Sequence, residues 1–417
     1  MSSLADKLKA LGVKKGTSHL TPPLDFPHAS RGPATGSRYE IASVVPGTFY
    51  PTPRGEVFVA EQVYPADSVY GSSSLLSSSP HFLIAEWAND LRLSTLPLSK
   101  FAFLDTETSG LSGGTGTYAF LIGAARVKDD QLVLKQFFMR DPAEEPALLE
   151  GLANFLAPCE ALVTFNGKAF DTPLLRTRYT LHGTPYPFSG FAHLDLLPLA
   201  RRLWRERLAS RALKSLEEHV LGLRRSSEEV PGYEIPWLYF DYLRTGDARP
   251  LAGVFYHNAM DVLTMAALLA HINEILENPY NGKVQHGLDF VALGKLFEDL
   301  GRWDEAARLF ERGLESNLTE SDFGLVMKRL SILQKRRGDL SEAVRLWEEA
   351  AKQGHLYAFI ELAKYYEHKE RDVKKALKWT KSAWQRVEAD DMPAYMRRYW
   401  LGEIERRMKR LERKAAI

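Results

Sequence analysis

The segment FAFLDTET, which begins at Phe101, combines an uninterrupted apolar run with an acidic end. Short apolar runs of this kind are typical of buried strands. A glycine-rich stretch, GLSGGTGT, leads into a second strand-like segment, and LVLKQFFM reads as a third strand, so we expect a three-stranded meander. A helix from Pro146 to Leu156 and the strand ALVTFNG come next. This succession predicts an α/β fold with a mixed central sheet flanked by helices.

The pattern breaks at residues 278–282, which read NPYNG, and the chain beyond them is helical and repetitive. Three segments, GRWDEAARLFERGL, GDLSEAVRLWEEAA and RDVKKALKWTKSAW, align as versions of one unit, with Ala306, Ala343 and Ala376 at equivalent positions. Their separation of about 35 residues is the period of tetratricopeptide-type helix pairs. Because stacked helix pairs present a concave groove, the pattern predicts an all-α helical-repeat domain that binds a protein partner.

Charge and cysteine content narrow the class of protein only slightly. The formal net charge is +1, from 54 Lys and Arg against 53 Asp and Glu, so any phosphate-binding surface must be local. Cys159 is the one cysteine, which rules out an intramolecular disulfide and fits a reducing cytoplasm. Neither a secretory signal nor an apolar run of transmembrane length is evident, so we expect a cytoplasmic protein without a membrane partner.

Acidic residues stand at the ends of predicted elements in three separate segments. Asp105 and Glu107 end the first strand, and strand alternation sends positions i and i+2 to the same side. Asp171 ends FNGKAFD, shortly after another apolar strand. Asp261 lies on a mostly apolar helix, one turn after His257, so these two side chains share a face. The fold would bring four carboxylates and one imidazole to one place.

Such a cluster of carboxylates needs positive charge, because like charges at close range repel one another. Oxygen ligands suit Mg²⁺ or Mn²⁺. Two such ions can activate a water and stabilise the leaving 3′ oxygen in phosphodiester hydrolysis. A histidine nearby can accept the proton of the water. We therefore expect two divalent metal ions, Mg²⁺ or Mn²⁺, and a nucleic-acid substrate.

The order Asp-x-Glu, Asn-x-x-x-Phe-Asp and His-x-x-x-Asp resembles the three exonuclease motifs of the DnaQ-like, or DEDD, superfamily. The resemblance implies a ribonuclease H-like fold and 3′→5′ removal of nucleotides from DNA or RNA ends with two metals. By the same resemblance, the metal ligands would be Asp105, Glu107, Asp171 and Asp261, and His257 would be the general base. In the branch that uses histidine, the base usually stands five residues before the last Asp. Here that position holds Tyr256, and His257 takes the register of the branch that uses tyrosine.

A closer resemblance is to the bacterial YprB-like group of predicted exonucleases, and it runs from about Phe101 to Ile272, with weaker similarity from Gly55. The segments that carry it are DTETSGLSGGTGTYAFLIG, VTFNGKAFDTPLL, LDLLPLARRLWRERL and HNAMDVLTMAALL. We expect a flexible N-terminal segment (1–38), an extension that packs on the nuclease domain (39–98), the ribonuclease H-like domain (99–277) and tetratricopeptide-like repeats with a basic C-terminal helix (283–417).

Several residues near the motifs are candidates for substrate binding: Thr106, Thr108, Asn166, Phe170, Arg201, Arg202 and Arg205. The arginines, together with Trp204, would track a phosphate backbone. Each candidate also has an ordinary structural interpretation, as a strand-end residue, a turn cap or a solvated helix face. Asp195 is either a further acidic neighbour of the site or a helix cap. The glycine-rich stretch lacks the Lys-Ser/Thr of a phosphate-binding loop.

Two other functions fit the same sequence. The nuclease-like domain would hold nucleic acid in a scaffold protein whose repeats recruit a partner, although the presence of all four carboxylates favours activity. The same carboxylates would also serve a structure-specific endonuclease, as in other ribonuclease H relatives.

Overall fold

In this computed structural model the described residues are 39–76, 82–110, 116–389 and 392–415. The segment 1–38, predicted to be flexible, and part of the glycine-rich turn, 111–115, lie outside them. The strands are β1 Thr48–Thr52, β2 Gly55–Tyr64, β3 Val69–Tyr70, β4 Ser73–Ser74, β5 Phe101–Thr108, β6 Ala119–Lys128, β7 Gln131–Phe138, β8 Ala161–Thr164 and β9 Ala192–Asp195.

The helices fall into two groups along the chain. The first group is α1 Ile41–Val44, α2 Phe82–Ala88, α3 Arg92–Thr95, α4 Glu145–Leu156, α5 Asp171–Leu181, α6 Leu196–Trp204, α7 Leu213–His219, α8 Ile235–Thr245 and α9 Leu251–Glu277. The second group is α10 Gly287–Asp299, α11 Trp303–Leu314, α12 Glu320–Arg337, α13 Leu340–Lys352, α14 Leu356–His368, α15 Val373–Ala389 and α16 Ala394–Ala415.

Seven strands form one sheet in the order β1-β2-β7-β6-β5-β8-β9. β5, β6 and β7 form the predicted antiparallel meander, while β8 and β9 run parallel to β5. The mixed sheet with flanking helices confirms the predicted fold class. The N-terminal extension adds β1 and β2, since β2 pairs with β7 along its length. Residues upstream of the motifs are therefore part of the same sheet.

Both faces of the sheet are buried at β5, which explains the continuous apolar run in this strand. Phe101 and Phe103 pack on the side of α9, and Ala102 and Leu104 pack on the side of α4. Strands that are covered on both faces lose the polar alternation of a half-exposed strand. β5 thus lies inside the sheet, between β6 and β8, and it is covered by helices on both faces.

α9 is the central helix of the domain. Among the residues that the structure describes, it is the one helix long and apolar enough to cross a membrane, yet 83% of its most apolar window is buried inside the fold. A helix that is apolar around most of its circumference is expected in the core of a folded protein. Packing in the core therefore accounts for its composition.

Beyond α9 the chain is entirely helical as far as the structure describes it. The aligned alanines Ala306, Ala343 and Ala376 lie in α11, α13 and α15, and each is 0% exposed. α10 packs on α6, and Arg207 Nε donates to Asp289 Oδ1 across that contact at 2.8 Å. One hydrophobic core continues from the sheet through α9 into these helices.

The contact between α9 and β6 yields a stability prediction. A Cβ added to Gly123 would lie 2.2 Å from Oδ1 of Asn258, which is fully buried on α9. Gly123→Ala should therefore push α9 away from the sheet and lower the free energy of unfolding by about 1–3 kcal/mol. Urea denaturation measures this. Gly190→Ala is the control, because nothing lies within 4 Å of its added Cβ. Equal stability of the two variants would contradict this packing.

Candidate active site

The end of β5 presents Asp105 and Glu107 on the side of the sheet that α9 covers. Asp105 lies opposite Gly123 of β6, and the register shifts just after Glu107, where the strand leaves the ladder. Asn258 of α9 donates from Nδ2 to Asp105 Oδ2 at 2.9 Å. Asn258 is itself fixed by Gln136, whose Nε2 donates to its Oδ1 at 3.0 Å. The first carboxylate is therefore held by a buried amide pair.

The third carboxylate, Asp171, stands in the first turn of α5 and is 5% exposed. Thr106 Oγ1 donates to Asp171 Oδ1 at 2.5 Å, so the strand residue between Asp105 and Glu107 holds the carboxylate of the second motif. Burial raises the pKa of Asp171 to about 6, and the hydrogen bond from Thr106 acts in the opposite direction.

The third motif reaches the site from α9. Asp261 Oδ2 lies 3.6 Å from Nε2 of His257, one helical turn away. The other ring nitrogen of His257, Nδ1, lies 3.1 Å from the carbonyl oxygen of Val230. A carbonyl oxygen can only accept, so Nδ1 carries the hydrogen of the neutral ring and Nε2 keeps its lone pair. Nε2, which has the free lone pair, therefore lies on the side of Asp261.

The four carboxylates interact electrostatically, which shows that three distant segments meet. Burial and then the negative charges of the other three carboxylates raise the pKa of Asp105 well above its usual range. Burial, followed by the charges of Asp261 and Asp171, does the same to the pKa of Glu107. Like charges that share a desolvated site disfavour ionisation in this way. The site carries more negative charge than the protein around it compensates.

The donor set fits a hard divalent cation, because it offers carboxylate oxygens and a cation would relieve their repulsion. The residues that would hold it are Asp105, Glu107, Asp171 and Asp261. Within the described ranges, no group of three or more His, Cys, Asp or Glu side chains is arranged so that it could hold a metal ion as it stands. Three of the carboxylates instead face protein partners, namely Asn258, Thr106 and Arg225.

Arg225 brings a positive charge to this site, and no sequence pattern pointed to it. Its side chain is 2% exposed and forms ion pairs with Glu217, Glu229 and Asp261. Burial alone would lower the pKa of Arg225, but the charges of Asp261 and Glu217 outweigh burial and raise it. Asn258 was also missed, although a lone Asn on the apolar face of α9 is the kind of buried polar residue that needs a partner.

The predicted substrate-binding residues of the first two motifs differ in their burial and in their hydrogen bonds. Thr108 is buried, and its Oγ1 donates to Gly110 O at 2.9 Å. Asn166 is exposed at φ 68°, and its backbone N donates to Asp195 Oδ1 at 2.8 Å. Asp195 also accepts from Leu197 N at the start of α6, so it acts as the helix cap considered for it. Phe170 is half-buried just before α5.

Of the three arginines predicted to bind substrate, two are exposed and one forms an ion pair. Arg201 and Arg205 are exposed on and just after α6. Arg202 forms an ion pair with Asp299 of α10, which ties the sheet domain to the helical region. Trp204 is 2% exposed and belongs to the core, so its ring cannot stack on a nucleic-acid base. The amphipathic character of α6 thus reflects packing as well as charge.

Comparison with known proteins agrees with this architecture. A family model described as RNase H superfamily matches residues 102–273. The "Uncharacterized protein YprB" of Bacillus subtilis (strain 168) is 39% identical over 282 residues, which are 66% of this chain and 67% of that protein. The family B DNA polymerase of Pyrobaculum calidifontis matches at 15% identity and a TM-score of 0.34, over 49% of this chain and 30% of the polymerase. That similarity is too low to bear on function.

The matched segment begins within β5 and ends within α9, so it contains all four carboxylates and the helix that completes the site. The chain is therefore a homologue of YprB and belongs, through its α/β domain, to the RNase H superfamily.

Proposed function

We propose that this protein is a nuclease that removes nucleotides from the 3′ ends of single-stranded or frayed DNA or RNA. The observation that carries the proposal is the meeting of four carboxylates, from β5, α5 and α9, beside an imidazole whose Nε2 lies 3.6 Å from Asp261 Oδ2. Membership of the RNase H superfamily supports a nucleic-acid substrate. Motifs of the DEDD type support cleavage from the 3′ end.

The residues divide into metal ligands, a base and positioning groups. Asp105, Glu107, Asp171 and Asp261 would hold two divalent cations, Mg²⁺ or Mn²⁺. When bound, these ions supply the activation of a water and the stabilisation of the leaving 3′ oxygen. His257 accepts the proton of the water at Nε2, since Val230 O fixes the hydrogen on Nδ1. Thr106 and Asn258 keep the carboxylates of Asp171 and Asp105 oriented.

Substrate binding and partner binding belong to the same proposal. We expect the 3′ end to pass Thr106, Thr108, Asn166 and Phe170, with Arg201 and Arg205 on the surface beyond them. The helical region would form tetratricopeptide-like pairs, as the buried Ala306 and Ala343 support. Such a region is suited to bind a protein partner.

The nuclease reaction itself can be tested with labelled oligomers. Purified protein with Mn²⁺ should shorten DNA or RNA oligomers that are labelled at the 5′ end, giving a ladder of products. Asp105→Ala and Asp261→Ala should abolish the ladder, because each removes a ligand from the centre. Glu56→Gln, an exposed acid on β2, is the control and should digest like wild type.

Matched DNA and RNA oligomers show which nucleic acid is preferred, and a circular substrate separates end trimming from internal cleavage. Absence of digestion of every 3′-ended substrate would refute the proposal. Cleavage of the circle would replace it by the endonuclease alternative.

Substitution of His257 tests its proposed role as the general base. His257→Gln should lower kcat by about 10²–10⁴-fold, the usual contribution of general-base catalysis. Tyr256, which holds the register that histidine usually takes, accepts from Ser226 N at 3.0 Å through its hydroxyl oxygen. Tyr256→Phe should therefore keep kcat. Single-turnover digestion of the same oligomer measures both variants, and the reverse ranking would assign the base to Tyr256.

The buried negative charge of Asp105 should affect the thermal stability of the protein. Without metal, Asp105→Asn should melt at a higher temperature than wild type, because the change removes one buried negative charge and keeps an oxygen for Asn258. Mn²⁺ at 100 times its Kd should stabilise wild type by about 2.7 kcal/mol and Asp105→Asn much less. Thermal unfolding with and without Mn²⁺ measures both effects. An equal gain in the two proteins would place Mn²⁺ elsewhere.

A further inference from the structure

Arg225 contacts three carboxylates through three different nitrogens. Nε donates to Glu217 Oε2 at 2.5 Å, Nη1 donates to Glu229 Oε1 at 3.1 Å, and Nη2 donates to Asp261 Oδ1. A guanidinium that is 2% exposed has lost nearly all of its hydration, so its burial is unfavourable unless charged partners compensate for the lost water. The chain supplies more partners than neutrality requires, so pairing alone does not explain the arrangement.

Two of these partners, Glu217 and Glu229, are not among the predicted metal ligands. They bind Nε and Nη1 of Arg225, whereas Asp261 accepts from Nη2. Glu217 accepts from the hydroxyl of Tyr70 at 2.5 Å, and that hydroxyl lies 3.0 Å from Thr264 Oγ1 on α9. Glu217 is 1% exposed. The guanidinium therefore has a fixed position before any contact with Asp261 is counted, and a residue of β3 in the N-terminal extension contributes to it.

Glu229 connects the same arginine to the candidate base. Its Oε1 lies 3.1 Å from Arg225 Nη1 and 3.2 Å from His257 Nδ1. Arg225 occupies Oδ1 of Asp261, while Oδ2 lies on the side of His257 Nε2. One side of Asp261 is thus taken by the guanidinium, and the other remains directed towards the imidazole.

We propose that Arg225 is a positioning residue that orients Asp261 and His257 together, so that Asp261 presents a single oxygen to the candidate metal centre. This inference rests on the proposed function. One guanidinium with three carboxylates still leaves the group negative, so Arg225 does not remove the attraction for a cation. The planar fork is essential, because a lysine ammonium is a single point of charge and cannot reach three carboxylates in fixed directions.

The test is Mn²⁺ binding by the full chain, measured by calorimetry, for Arg225→Lys and Arg225→Met. Losing a group that orients a metal ligand typically costs 10–100-fold in affinity, so Arg225→Lys should weaken Mn²⁺ binding by about that factor. Kcat at saturating Mn²⁺ should also fall, since His257 loses its alignment. The matched control is Arg207→Lys, which alters another arginine–carboxylate pair, with Asp289 of α10, that includes none of the four candidate metal ligands.

Thermal unfolding of each variant shows whether it is folded. If Arg225→Met fails to fold, Arg225→Lys and Glu217→Gln decide, and Glu217→Gln should weaken Mn²⁺ binding in the same direction by a smaller factor. Folded Arg225→Lys with wild-type Mn²⁺ affinity and wild-type kcat would overturn the inference while leaving the nuclease intact. Wild-type protein that neither binds Mn²⁺ nor digests nucleic acid would instead overturn the proposed function.

Discussion

Repulsion among four carboxylates is the constraint around which this domain is arranged. Burial deprives Asp105 and Glu107 of water, and the nearby acids add to the cost of ionising them. The fold holds the charges in place with neutral donors on two of them and one guanidinium on another. Each of these groups comes from a different element, so the site depends on the relative positions of sheet, α5 and α9. A rigid core on both faces of β5 secures those positions.

The acidic motifs could be predicted from the sequence, because strand alternation and the helical period determine which side chains within a motif share a face. Alternation places Asp105 beside Glu107, and one helical turn joins His257 to Asp261. Arg225 was not readable, because its contacts depend on how a loop between α7 and α8 returns to α9. Trp204 was misread for a related reason. Arginines on the outer face of a helix say nothing about whether an aromatic residue among them turns inwards, and here the ring is buried.

A similar division applies to the fold. The meander, the apolar helix that carries Asp261 and the fold class followed from local patterns, and so did the all-helical character of the C-terminal region. An N-terminal extension that packs on the nuclease domain was also expected. Its pairing with β7 was not, since strand partners are chosen by contacts between residues far apart in sequence. The same holds for α10 on α6, where Arg207 meets Asp289 across a predicted domain boundary.

Because β2 pairs with β7, the folding unit is longer than the span that contains the sequence motifs. A fragment cut to residues 102–273 would begin inside β5 and would leave β7 with a free hydrogen-bonding edge. Open edges of this kind invite strand addition between molecules and aggregation. The same cut would also remove Tyr70, which donates a hydrogen bond to Glu217, and α10, which packs on α6. The smallest piece of this chain that can be handled in solution is therefore set by sheet edges rather than by motif borders.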